Sequence, residues 1–217
     1  MRKLFVAIAT ILLVSAAALP VWADNIPYGN PGYEAPTMVF TAMATGYINA
    51  WFYGYSAGDT DYVQICDLTT DTCSAEFFDN HTTAAGTEDA DVLAVNAGDV
   101  LEFNLINQSA GDTLSSNPSH SADGLNHAYE THFSGGTPPG GSSSIPAGTF
   151  IGMEDLACTD FNAGTGQCLS GSDFDYNDDQ YVFDNIGASP VPEPGSLLLL
   201  VTCVLGLGGS LKRRFLS

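Results

Sequence analysis

The chain has 217 residues, 25 of them acidic against five basic, and a formal net charge of −20 at neutral pH. All five basic residues sit near the ends, as Arg2, Lys3, Lys212, Arg213 and Arg214, so between Asp24 and Pro190 there is no Lys or Arg. That distribution excludes nucleic acid and anionic lipid as partners of the body, since both are gripped through basic contacts.

Residues 1–23 read as a secretory signal. Arg2 and Lys3 give a positive start, Leu4 to Leu19 is apolar, and Val21-Trp22-Ala23 sets a cleavage point before Asp24. Residues 24–44, rich in Pro, Gly and Asn as far as 37, read as an extended lead-in. A single domain is expected over 45–186. The chain between the targeting segments, about 165 residues, suffices for one packed core.

Within it, residues 45–55 alternate. Ile48, Ala50 and Phe52 point one way; Tyr47, Asn49, Trp51, Tyr53 and Tyr55 point the other, which is a strand. Its aromatic face could also stack on sugar rings. Tyr62 to Cys66 is a second strand, Cys66 to Cys73 a closed loop, and Ser74 to Phe78 a return. Asp91 to Val95 and Val100 to Asn107 flank an Asn96-Ala97-Gly98-Asp99 turn, with Leu101, Phe103 and Leu105 on one face. Residues 108–126 read as a long polar loop. His127 to Phe133, Thr149 to Met153 and Gln180 to Asp184 complete the strands, and the Gly/Pro/Ser-rich residues 134–148 cannot form a regular element.

Seven to nine short strands without helical periodicity predict an all-β antiparallel sandwich, jelly-roll or Ig-like, between the signal peptide and a C-terminal transmembrane sorting helix. Four of the five cysteines form two close pairs, Cys66 with Cys73 and Cys158 with Cys168. Local disulfides are expected in an oxidising compartment, although other connectivities exist. No C-x-x-C is present, which argues against zinc and thiol redox chemistry. Asn80-His81-Thr82 and Asn107-Gln108-Ser109 match the glycosylation sequon, read here as accidental.

Acidic residues crowd into 154–184. Glu154 and Asp155 end a strand; Ser172-Asp173-Phe174-Asp175-Tyr176-Asn177-Asp178-Asp179 follows the second cysteine loop. Asp173, Asp175 and Asn177 place oxygen ligands at every second residue, as a calcium loop does. Asp179 extends the series, and Asp178 can substitute if the chain turns. The run is not an EF-hand: Asp178 stands where Gly is needed, and Asp184 at the twelfth position replaces the usual Glu. With only His81, His120, His127 and His132 able to become cationic in the body, the carboxylates need an external counter-ion. Of the histidines, His127 and His132 are the candidates to face a metal, though a structural role suits them better.

This stretch, Ile145 to Leu156 together with Ser172 to Asp178, resembles an uncharacterised domain family of exported bacterial proteins. The resemblance implies a β fold and a bound metal, calcium, but no reaction. The family usually has an apolar residue where this chain has Asp179.

A linker over 187–196 contains Pro192-Glu193-Pro194, and the apolar residues from Leu197 lead to Lys212-Arg213-Arg214, a basic stop on the cytoplasmic side of a span over 197–217. These residues resemble the PEP-CTERM sorting signal of exopolysaccharide-producing Gram-negative bacteria. The resemblance implies cleavage by an exosortase near Pro192-Glu193-Pro194, transient anchoring in the inner membrane, and an address at the cell surface or outside. The body then reads as a non-enzymatic, calcium-stabilised surface or matrix module. The alternatives are an exopolysaccharide-binding module and a glycoside hydrolase using Glu154 with a nearby Asp.

Overall fold

A computed structural model describes residues 32–190; the signal segment, the Pro-Glu-Pro motif and the apolar tail lie outside the described residues. The strands are β1 (Met38–Ala42), β2 (Gly46–Tyr55), β3 (Asp61–Asp67), β4 (Thr72–Cys73), β5 (Glu88–Val95), β6 (Val100–Asn107), β7 (Asp112–Ser115), β8 (Ala128–Phe133), β9 (Gly148–Met153), β10 (Phe161–Asn162), β11 (Gln167–Cys168), β12 (Asp179–Phe183) and β13 (Ile186–Pro190). Among the described residues there is no helix, and none long and apolar enough to cross a membrane.

Every strand pairing is antiparallel. One sheet runs β13-β1-β6-β3-β4, with β7 continuing along the β1 side of β6; the other runs β5-β2-β12-β9-β8. The two face each other across one core in a sandwich-like arrangement. The first sheet supplies Phe40, Val63, Ile65, Leu101, Phe103 and Leu105, and the second Ile48, Phe52, Leu93, Ile151, Tyr181 and Phe183. Each large apolar side chain moved from water into this layer contributes about 1.5–3 kcal/mol.

Several boundaries differ from the sequence reading. The lead-in assigned to 24–44 contains β1, because Phe40 and Ala42 pack into the core while the backbone pairs with β6 and β13. The domain does not stop at 186, since β13 runs to Pro190 as the partner of β1. The polar loop 108–126 contains β7, whose Leu114 is buried opposite Leu105. Ser74 to Phe78 is not a full strand; only Phe77 bridges to Val63. The second cysteine loop holds the small β10–β11 hairpin. Both expected disulfides are formed, Cys66–Cys73 and Cys158–Cys168.

The row Ile48, Ala50, Phe52 faces the main core as expected. The opposite face is not a free aromatic surface at Trp51, which is only 7% exposed and packs with Ile145, Phe150 and Val182. The irregular segment 134–148 brings Ile145 onto the outer side of this sheet, held by the paired backbone bonds between Gly136 and Ile145.

Candidate metal centre

The acidic run is folded by an alternation of backbone and side-chain directions. Phe174 and Tyr176 take φ of 51° and 54°, the left-handed region that side chains larger than Gly rarely adopt. Both rings are fully buried, stacked 6.0 Å apart, in a small second core with Ala35 and Cys158. Their amides turn towards Glu154, which accepts from Phe174 N at 3.0 Å, from Tyr176 N and from Ser172 Oγ. Gly152 allows this close approach, since a Cβ there would stand 2.3 Å from the carbonyl oxygen of Tyr176. The loop is also strapped from outside the expected domain: Gly32 N donates to the Phe174 carbonyl, and Ala35 N to the Tyr176 hydroxyl.

The intervening side chains, Asp173 and Asp175, point outward. One oxygen from each, with one from Glu154, forms a set whose members all lie within 4.8 Å of one another, a spacing that fits a single cation. Asn177 is close by, but its amide donates to Asp175. Burial pushes the Glu154 carboxyl upward against the pull of Ser172 and Tyr176, and the Asp175 carboxyl also rises through burial.

Asp155, Asp178 and Asp179 lie in a second group. Asp155 N donates to Asp178 Oδ2 at 3.1 Å. Asp179, the first residue of β12, is fully buried beside Asp61 of β3. Asn80 holds both, donating from Nδ2 to Asp61 Oδ2 at 3.1 Å and to Asp179 Oδ2 at 3.4 Å. Asp59 joins through Asn107, whose Nδ2 donates to Asp59 Oδ2 and to the Asp155 carbonyl. Burial, followed by the charge of Asp155, pushes Asp61 up to about 7. Burial with the charges of Glu154 and Asp155 pushes Asp178 up to about 9. Asp155 rises chiefly through burial, and Asp179 rises well above the carboxylate range through burial and the charge of Asp61.

At the C-terminal side the decisive observation is a family match: residues 190–214 match the PEP-CTERM protein-sorting motif. The chain carries a PEP-CTERM sorting signal. The match includes Pro192, Glu193, Pro194, Lys212, Arg213 and Arg214 and does not reach the body. No curated protein and no solved structure matches the chain. A PEP-CTERM signal marks a protein exported and sorted to the cell surface, with processing by a membrane-associated exosortase.

Other candidates of this PEP-CTERM protein are placed as follows. Asp184 is removed from the loop by the length of β12 and receives Asn49 N and Nδ2, both at 2.8 Å. His127 is buried with its Nε2 on Asp123, and His132 is exposed. The sequon residues Asn80 and Asn107 are both fully buried with their amides engaged. Asp59 and Asp61 were missed in the sequence, although period two carries a signal for Asp61, which heads the inward row Val63 and Ile65.

Proposed function

We propose that the body is a non-enzymatic surface or matrix module that takes up calcium on its acidic loop and is stabilised by it. The observation that carries this reading is the convergence of Glu154, Asp173 and Asp175 oxygens within 4.8 Å in a body with no Lys or Arg. Calcium takes six to eight oxygen ligands, so water and nearby carbonyls would complete its shell. The same geometry disfavours a glycosidase: Glu154 already accepts two amides and a hydroxyl, which leaves it poorly placed to trade a proton with a sugar.

The test is a thermal melt of the full chain in mild detergent, in millimolar calcium and in chelator. Calcium at ten to a hundred times its dissociation constant should add about 1–3 kcal/mol. Asp173→Ala/Asp175→Ala should reduce that gain. An unchanged gain in this variant would move the ion elsewhere.

A cavity favours a second reading, binding of an exopolysaccharide. A hollow of about 410 Å³ is lined by Tyr53, Tyr55, Ser56, Thr83, Asn177 and Gln180. Tyr55 is 45% exposed beside the His81 ring, so the platform for a sugar would be Tyr55 rather than the covered Trp51. Retention of the protein on the polysaccharide of the producing cells, lost in Tyr55→Ala, would support it; no retention of the wild type would refute it.

A further inference from the structure

The inward rows of the two facing sheets each begin with an acid. On β3 the row is Asp61, Val63, Ile65; on β12 it is Asp179, Tyr181, Phe183, and all six side chains are fully buried. At these places the pattern calls for apolar side chains filling the end of the core. Instead two carboxyl groups meet across the gap between the sheets. Asn80 satisfies one oxygen of each. The remaining oxygens, Asp61 Oδ1 and Asp179 Oδ1, are buried without a partner, and so is the Tyr181 hydroxyl, which lies beside both acids. Two carboxylate oxygens and a hydroxyl, drawn from two sheets and none of them engaged in a hydrogen bond, are an expensive arrangement for a core. No Lys or Arg is available in the body, and the further charges felt here are the carboxylates of Asp155, Asp178 and Asp59.

We propose that Asp61 and Asp179 hold a divalent cation of the calcium type between the two sheets, with the Tyr181 hydroxyl as a neutral ligand and Asp155 on its outer side. This site shares no ligand with the loop group of Glu154, Asp173 and Asp175, and it stands or falls separately from the function proposed above. It clamps β3 to β12, whose acids lie far apart in sequence, where apolar packing gives out. Carboxylates with a hydroxyl form a hard, all-oxygen donor set, which selects calcium over softer transition metals.

Terbium(III), a luminescent stand-in for calcium, tests the site in the full chain held in mild detergent. Excited through tyrosine, an ion beside Tyr181 should emit strongly. Emission should persist in Asp173→Ala/Asp175→Ala, fall at least fivefold on adding Asp61→Asn/Asp179→Asn, and be displaced by excess calcium. Tyr181→Phe, which keeps the ring in the core, should also lower emission severalfold and carries the test if the asparagine variant does not fold. Emission unchanged by Asp61→Asn/Asp179→Asn and by Tyr181→Phe would overturn the proposal. So would the absence of any emission once Asp173 and Asp175 are removed, which would mean that the two acids share a proton. Emission and calcium affinity left wholly unchanged by Asp173→Ala/Asp175→Ala, but removed by Asp61→Asn/Asp179→Asn, would instead count against the loop reading alone.

Discussion

Glu102 and Asp123 are carboxylates screened from water with an imidazole beside each; Asp61, Asp155, Asp178 and Asp179 are screened carboxylates with none. His120 Nδ1 lies 2.7 Å from Glu102, and His127 Nε2 lies 2.9 Å from Asp123. Burial alone would raise Asp123, but the hydrogen bond and charge of His127, with the amides of Cys158 and Leu125, outweigh it and hold the carboxyl down to about 2. In the other region burial is joined by neighbouring acids, and every shift goes upward. A body without Lys or Arg can set its own imidazoles beside two of its acids. The acid belt of Asp61, Asp155, Asp178 and Asp179, with no imidazole beside it, has to look outside the chain.

The largest expected effect comes from removing Glu154, the acid of the loop group that is also tied to two backbone amides. Glu154→Ala strands the amides of Phe174 and Tyr176 and the Ser172 hydroxyl, and should cost about 3 kcal/mol or more in chemical denaturation. A cost below 1 kcal/mol would mean that the loop rearranges freely.

A smaller effect sharpens the contrast from the histidine side. Asp123 has a folded value below its ordinary 3.8, so its contribution is present above about pH 4 and is lost as pH falls towards 2. Asp123→Asn should remove about 1–2 kcal/mol at neutral pH and flatten that acid limb. The smallest effect is at His120, whose side chain is 54% exposed. His120→Ala should cost less than about 1 kcal/mol, because Asn117 still donates to Glu102 and solvent screens the imidazole.

Much of the sandwich was legible because period two is a local signal. The rows Ile48–Ala50–Phe52 and Leu101–Phe103–Leu105 are buried as their alternation indicated, and both cysteine pairs closed locally. Alternation also separated Asp173 and Asp175 from Phe174 and Tyr176. What it could not reveal was which distant elements meet. Asp61 joins Asp179 only because β3 and β12 lie in facing sheets. Trp51 is covered by Ile145 from an irregular Gly/Pro segment with no periodicity to read. β1 and β13 hid beside Pro- and Gly-rich sequence because each is short and β13 gains its pairing only from β1.

The most direct test of the claim that the acid belt is neutralised by a cation from outside is stability against pH, measured by urea denaturation of the full chain in detergent with and without calcium. Asp61 and Asp178 have folded values raised above their ordinary 3.8, to about 7 and about 9. Without metal their contribution is complete below about pH 4 and is lost as pH rises through those values, a fall on the order of a few kcal/mol. Calcium should remove the part of this fall that belongs to Asp61, because a bound carboxylate is already ionised. Superimposed curves that both fall with rising pH would contradict the account, and would show that protons alone neutralise these acids.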